Sequence, residues 1–296
     1  MPPTSAPAST TTTATAPDDA PGPDLDAYLA RTGWTGERRA TAAVLRSLHS
    51  AHLHSIPFEN LAAVLGSAPS LALPDLEAKL VRGGRGGYCF EQNTLFAAVL
   101  RSFGFHVTPL TARVRTGNPV AVRPRTHMLL LVRVPGEEHR YVADVGFGGV
   151  GSLLEAIPLV EDTEFRAGEQ SHRLVREEHD GPLGLWVLQA REAGAWADQY
   201  AFTLDPVLHT DIEVMNWYMA THPRSPFSRA LTALRITPEG HLALRGRTLA
   251  KTAPDGSRKE RELTGADEVM RVLAADFKIA APEGTQAAVA SAEDRS

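Results

Sequence analysis

The chain switches hydrophobic period at a glycine, and that switch restricts its fold more than any other feature. Leu95, Phe96, Val99, Leu100 and Phe103 follow the 3.6-residue spacing of a helix beginning at Cys89, and Gly104 stands where a left-handed cap would end it. Downstream the period becomes two. Residues 106–115 alternate through Leu110, Ala112 and Val114, residues 127–134 are nearly continuous apolar, and residues 140–145 are rich in strand formers. Helical spacing dominates upstream, with Ala40, Val44 and Leu48 four apart and Pro74 opening a segment that carries Leu76 and Leu80. Further strands are expected at 183–190 and 196–203, and a helix at 212–220. A hairpin over 230–237 and 241–247 should turn at Glu239-Gly240. A last helix should carry Val269, Leu273 and Phe277, with Thr264 and Asp267 in capping-box spacing. Helices, then strands, then a mixture predict an α+β protein in three parts rather than a doubly wound sheet.

Length and composition narrow the function classes. With 296 residues, 43% of them hydrophobic, the chain can bury a sizeable core in two or three domains. Residues 1–24 and 282–296 are small and polar, so both are expected to lack ordered structure, with the folded body over 25–281. Thirty Lys and Arg against 35 Asp and Glu give a net charge of −5 with no run of like charge, which argues against a nucleic-acid partner. The apolar run 128–132 is far shorter than the roughly 20 residues that span a bilayer. The first residues have neither a basic start nor a large aliphatic core, so a cytoplasmic protein without membrane association is expected. One cysteine, Cys89, leaves no disulfide framework and no cysteine-based metal cluster within this chain; no metal is expected.

The densest signal is Arg82-Gly83-Gly84-Arg85-Gly86-Gly87-Tyr88-Cys89. Four glycines in five positions permit a tight loop whose N–H groups can point inward, and the loop delivers Cys89 to the positive end of a helix dipole. That position favours thiolate over thiol. The Lys-Ser/Thr ending of a P-loop and the spacing of a dinucleotide turn are both absent. A lone cysteine is usually a buried structural thiol, but the loop and the helix start favour a nucleophile here. Its base would be His127, which opens the most apolar strand, with His52 and His54 as competitors at a helix end where capping would occupy them. Asp144 stands in a strand-like run, where an aspartate is unfavourable unless something satisfies it. Cys89, His127 and Asp144 together supply a nucleophile, a base and the group that sets the base's tautomer.

The sequence resembles the arylamine N-acetyltransferases in Arg-Gly-Gly-Tyr-Cys-Phe-Glu-Gln-Asn at 85–93, Ile-Pro-Phe-Glu-Asn-Leu at 56–61, Thr-His-Met-Leu-Leu at 126–130, Val-Ala-Asp-Val-Gly-Phe-Gly-Gly at 142–149 and Asn-Trp-Tyr-Met-Ala-Thr-His-Pro at 216–223. The resemblance covers essentially residues 25–281. It implies a helical bundle over 25–105 carrying the cysteine, a β-barrel over 106–205 carrying the histidine and aspartate, and an α/β lid over 206–281, the first two resembling a cysteine-protease core. It further implies a Cys89–His127–Asp144 triad, acetyl-CoA as donor, an aromatic pocket of Phe58, Phe147 and Phe202, and Gly148 and His222 near the CoA cleft. The expected reaction moves an acetyl group through a cysteine thioester to an arylamine or arylhydrazine by a ping-pong route. Two rivals keep the thiol chemistry: an amide synthase closing a macrolactam on a carrier-bound polyketide, and a cysteine hydrolase. A third makes the glycine loop an anion-binding module with an inert thiol.

Overall fold

A computed structural model describes residues 22–117 and 123–293, so residues 1–21 of the expected N-terminal tail lie outside the described residues. Helix α1 (Leu25–Thr32) is capped by Asp24, whose carboxylate accepts from Ala27 N at 3.0 Å, and α2 (Ala42–Ser55) is capped by the Thr41 hydroxyl. The expected helix is present, its buried face formed by Leu45, Leu48, His49 and His52 with Val44 partly buried against the same core. Then come β1 (Phe58–Glu59), α3 (Leu61–Val64), α4 (Leu73–Leu76), a π-helical turn over Glu77–Arg82, and α5 (Cys89–Ser102). Helix α5 is buried along Leu95, Phe96, Val99 and Leu100, and it ends at Gly104 with the left-handed φ of 92° that its spacing predicted.

The period-two region forms β2 (His106–Val114), β3 (His127–Arg133), β4 (Arg140–Ala143), β5 (Ile157–Pro158), β6 (Phe165–Ala167), β7 (Gln170–Glu177), β8 (Leu185–Glu192) and β9 (Ala195–Phe202). They make one antiparallel sheet in the order β5-β4-β3-β2-β9-β8-β7-β6. A bridge from Glu161 to Leu174, with Asp162 N donating to Leu174 O at 2.7 Å, brings the chain after β5 back to β7 and nearly closes the sheet into a barrel. Strand β3 explains its own unbroken hydrophobicity. Met128, Leu130 and Val132 belong to the core shared with the helices, while Leu129 and Leu131 face the barrel interior.

The last part contains α6 (His209–Thr221), α7 (Pro226–Arg229), β10 (Thr232–Thr237), β11 (Gly240–Arg245), β12 (Thr248–Thr252), β13 (Arg258–Glu262), α8 (Ala266–Ala275) and α9 (Thr285–Glu293). Its sheet runs β1-β10-β11-β12-β13, all antiparallel, so Phe58 and Glu59 from the helical part supply an edge strand to it. A separate core of Leu231, Leu244, Leu249, Val269, Leu273 and Phe277 lies beneath α8. The three parts together are α+β. Residues 282–296 were expected to be unstructured, and this is corrected: 285–293 form α9, with Thr285 and Val289 buried against the same core. Among the described residues, no helix is long and apolar enough to cross a membrane.

Candidate active site

Cys89 is the first residue of α5, and buried polar contacts fix its approach. Gly87 N donates to Pro57 O at 3.3 Å, and Tyr88 N donates to the Glu91 carboxylate at 3.2 Å. Glu91 also receives Lys79 Nζ at 2.6 Å, while Arg85 donates twice to Glu59 Oε1, at 2.9 and 2.6 Å. Burial pushes the Glu91 carboxyl up to about 7; Lys79 pulls against that, and Glu59 adds to it. Gln92, one turn into the helix, donates to Gly87 O and Pro57 O, and its own oxygen meets His52 Nε2 at 2.9 Å. The amides of Gly87 and Tyr88 are thus engaged by Pro57 O and the Glu91 carboxylate. The amide of Cys89 itself is the candidate left at the helix start.

His127 opens β3 on the barrel side, and Asp144 follows β4. Pairing of Leu130 with Ala143 sets these strand ends side by side, and His127 Nε2 lies 2.6 Å from Asp144 Oδ2. Nε2–H therefore donates to the carboxylate and leaves Nδ1 for the thiol. Asp144 Oδ1 is held by Asn93 Nδ2 at 3.0 Å and by Gly146 N at 2.9 Å. Asn93 Oδ1 accepts from Val145 N at 3.2 Å, so one side chain of α5 ties the aspartate loop to the cysteine helix. At Gly146 a Cβ would fall 2.6 Å from Cys89 Cα, so only glycine permits this approach. Cys89 Sγ lies 3.8 Å from Thr126 O.

The electrostatics follow from that geometry. Burial opposes charge on His127, but the charge and hydrogen bond of Asp144, and then Cys89, outweigh it and raise the imidazole to about 10. Burial likewise opposes charge on Asp144, and it is overcome by His127, then Asn93 and the Gly146 amide, which hold its carboxyl below the usual range. The arrangement is an imidazolium clamped by a carboxylate beside the Cys89 sulfur, able to release and recover one proton.

Cys89 and His127 border a cavity of about 670 Å³ together with Phe58 and Phe147. Phe202 does not border it, which corrects its expected place in the aromatic pocket. It lies in the barrel core beyond Tyr200, whose ring packs 4.9 Å from His127 and 5.2 Å from Phe147. Tyr200 and Phe202 share a face of β9, and nothing in alternation alone says which of them reaches the histidine. Gly148 packs against Phe58, and His222 stacks on Tyr218 at 4.5 Å; neither borders the cavity, although Phe147, Gly149, Tyr218 and Arg224 do. His52 is no cap. Buried between Tyr28 Oη and Gln92, it is driven down to about 3 by burial, with Gln92 opposing that fall. His49, unremarked in the sequence, accepts from Asp144 N at 3.1 Å. Among the described residues, no group of His, Cys, Asp and Glu could hold a metal ion.

A family model described as N-acetyltransferase matches residues 41–284. An arylamine N-acetyltransferase of Mycolicibacterium smegmatis is 40% identical over 230 residues, covering 77% of this chain and 82% of that protein. Among solved structures, the Nocardia farcinica arylamine N-acetyltransferase superposes with a TM-score of 0.84 at 42% identity, over 90% of this chain and 93% of that one. The Mycobacterium marinum arylamine N-acetyltransferase in complex with CoA superposes with a TM-score of 0.83 at 33% identity, over 92% and 99% of the two chains.

Proposed function

The chain belongs to the arylamine N-acetyltransferase family, and we propose that it carries an acetyl group from acetyl-CoA, through a thioester on Cys89, to the nitrogen of an arylamine or arylhydrazine. The observation that carries this is the convergence of Cys89, at a helix start, with the clamped His127–Asp144 pair on one cavity.

In the first half-reaction the Cys89 thiolate adds to the thioester carbonyl, and the bond from the carbonyl carbon to the CoA sulfur breaks. His127 gives its proton to the departing CoA thiolate. Exchanging one thioester for another is close to isoenergetic, so the acetyl-cysteine retains the drive to acylate a weak amine. In the second half-reaction the uncharged amine adds to the same carbonyl, His127 takes the amine proton, and Cys89 leaves as thiolate, restoring the ion pair. Asp144 fixes the tautomer throughout by accepting from Nε2. The Cys89 amide is the candidate donor to the oxyanion. Arg224 and Arg245, which border the cavity, are the cations that would meet the donor's phosphates, and Phe58, Phe147 and Phe227 are the apolar walls an aromatic acceptor would contact.

Initial rates at several fixed amine concentrations provide the test. One cleft used in turn by donor and acceptor yields parallel double-reciprocal lines. Intersecting lines would mean a ternary complex and would remove Cys89 from the acetyl's path.

A further inference from the structure

Beside the cavity lies a buried acceptor atom that the proposed mechanism does not use. Strands β8 and β9 pair with a shift: Leu188 faces Tyr200 and Gln189 faces Asp198, so Gln199 is the extra residue of a β-bulge. A bulge redirects its side chain, and bulges are over-represented beside active sites. Gln199 is 1% exposed and borders the cavity. Its orientation is determined: Nε2 donates to Glu192 Oε1 at 2.8 Å and to Ala197 O at 3.1 Å, so the remaining amide atom is the oxygen. That buried Oε1 meets no donor among the described residues. Gly151, also on the cavity, leaves room for the amide, since a Cβ there would fall 2.0 Å from Oε1. The next residue along the strand, Tyr200, packs its ring on His127.

A buried carbonyl oxygen left without a donor is costly, and a ligand that supplies one recovers that cost. We propose that Gln199 is a specificity-determining residue for the acceptor, its Oε1 receiving a hydrogen bond from a hydroxyl or N–H on the aromatic ring other than the reacting amine. Glu192 and Arg123 both border the cavity, so that rim offers charges of both signs and suits a neutral donor better than a cation. This inference rests on the acetyl-transfer reading above.

Hydroxyl- and methoxy-substituted anilines, in the 3- and 4-positions, test it directly. Within each pair the electronic effect on the amine is nearly matched, and only the hydroxyl can donate. For at least one position, kcat/KM for the hydroxyl compound should exceed that of its methoxy partner about tenfold, the size of a hydrogen bond to an otherwise unmet buried acceptor. Gln199→Met, which keeps length but removes the acceptor, should bring that ratio close to one. Equal kcat/KM within both pairs for the parent enzyme would overturn the inference while leaving acetyl transfer intact. A preference that persists in Gln199→Met would also overturn it, because exclusion of the methyl group would then explain the ratio. If no aniline is acetylated at all, the failure lies with the acetyl-transfer reading.

Discussion

At the site, two buried charges are affordable only because each answers the other. His127 and Asp144 are 3% and 0% exposed, and either alone would be neutralised by burial. In Asp144→Asn an amide faces Nε2, so the imidazole proton moves to Nδ1 and the ring can no longer accept from the thiol. We expect kcat to fall by roughly 10³–10⁴ with an unchanged circular-dichroism spectrum; a loss under tenfold would deny Asp144 its role. The same pair predicts a stability profile. His127 titrates near 10 in the folded chain against about 6.5 unfolded, so its contribution is complete below about 6.5 and is lost as pH rises to 10. Calorimetry between pH 6.5 and 10 should show a steeper fall in Tm for the parent than for Asp144→Asn, where the carboxylate that raises His127 is gone. Equal slopes would contradict the clamp. These residues were legible because each is out of place for its local context: a thiol after glycines, a histidine opening an apolar strand, an acid in a strand run. Gln199, Tyr200 and His49 were not, since a bulge, a choice between two residues on one strand face and a contact across 95 positions leave no local trace.

Among the elements, those with a strong hydrophobic period were the readable ones. Helix α5, strands β2 to β4 and the β10–β11 hairpin follow their patterns because burial dictates them, on both faces in the case of β3. Strand β13, Arg-Lys-Glu-Arg-Glu, is exposed throughout and forms a charged sheet edge, so it has no apolar period to read. Helix α9 was missed for a different reason. Its alanines resemble those of a low-complexity tail, but alanine is the strongest helix former, and Thr285 and Val289 anchor the helix on the core beneath α8. Truncating the chain after residue 282 should therefore lower Tm by several degrees, consistent with a loss of roughly 1–3 kcal/mol for uncovering Val289 and its partners. A Tm unchanged within a degree would show that α9 adds nothing.

Across the whole molecule, all three parts contribute to one cavity: the helical part brings Cys89, the barrel brings His127 and the Asp144 loop, and the last part brings Tyr218, Phe227 and Arg245. Asn93 and Gly146 lock the first two together, and β1, paired with β10 and bridged from Phe58 to Gly87, ties the third to the loop that precedes Cys89. The switch of period in the sequence marked where helices give way to strands, but not that a two-residue strand would pair with the last part of the chain. In the proposed reaction this shared cavity loads an acetyl group onto one sulfur before any acceptor is present. Mass spectrometry of the intact protein after incubation with acetyl-CoA alone, followed by peptide mapping, measures that directly. A gain of one acetyl group is expected, located on the Cys89 peptide and absent from Cys89→Ser; an unmodified protein that nevertheless acetylates an arylamine when one is added would rule out the thioester route.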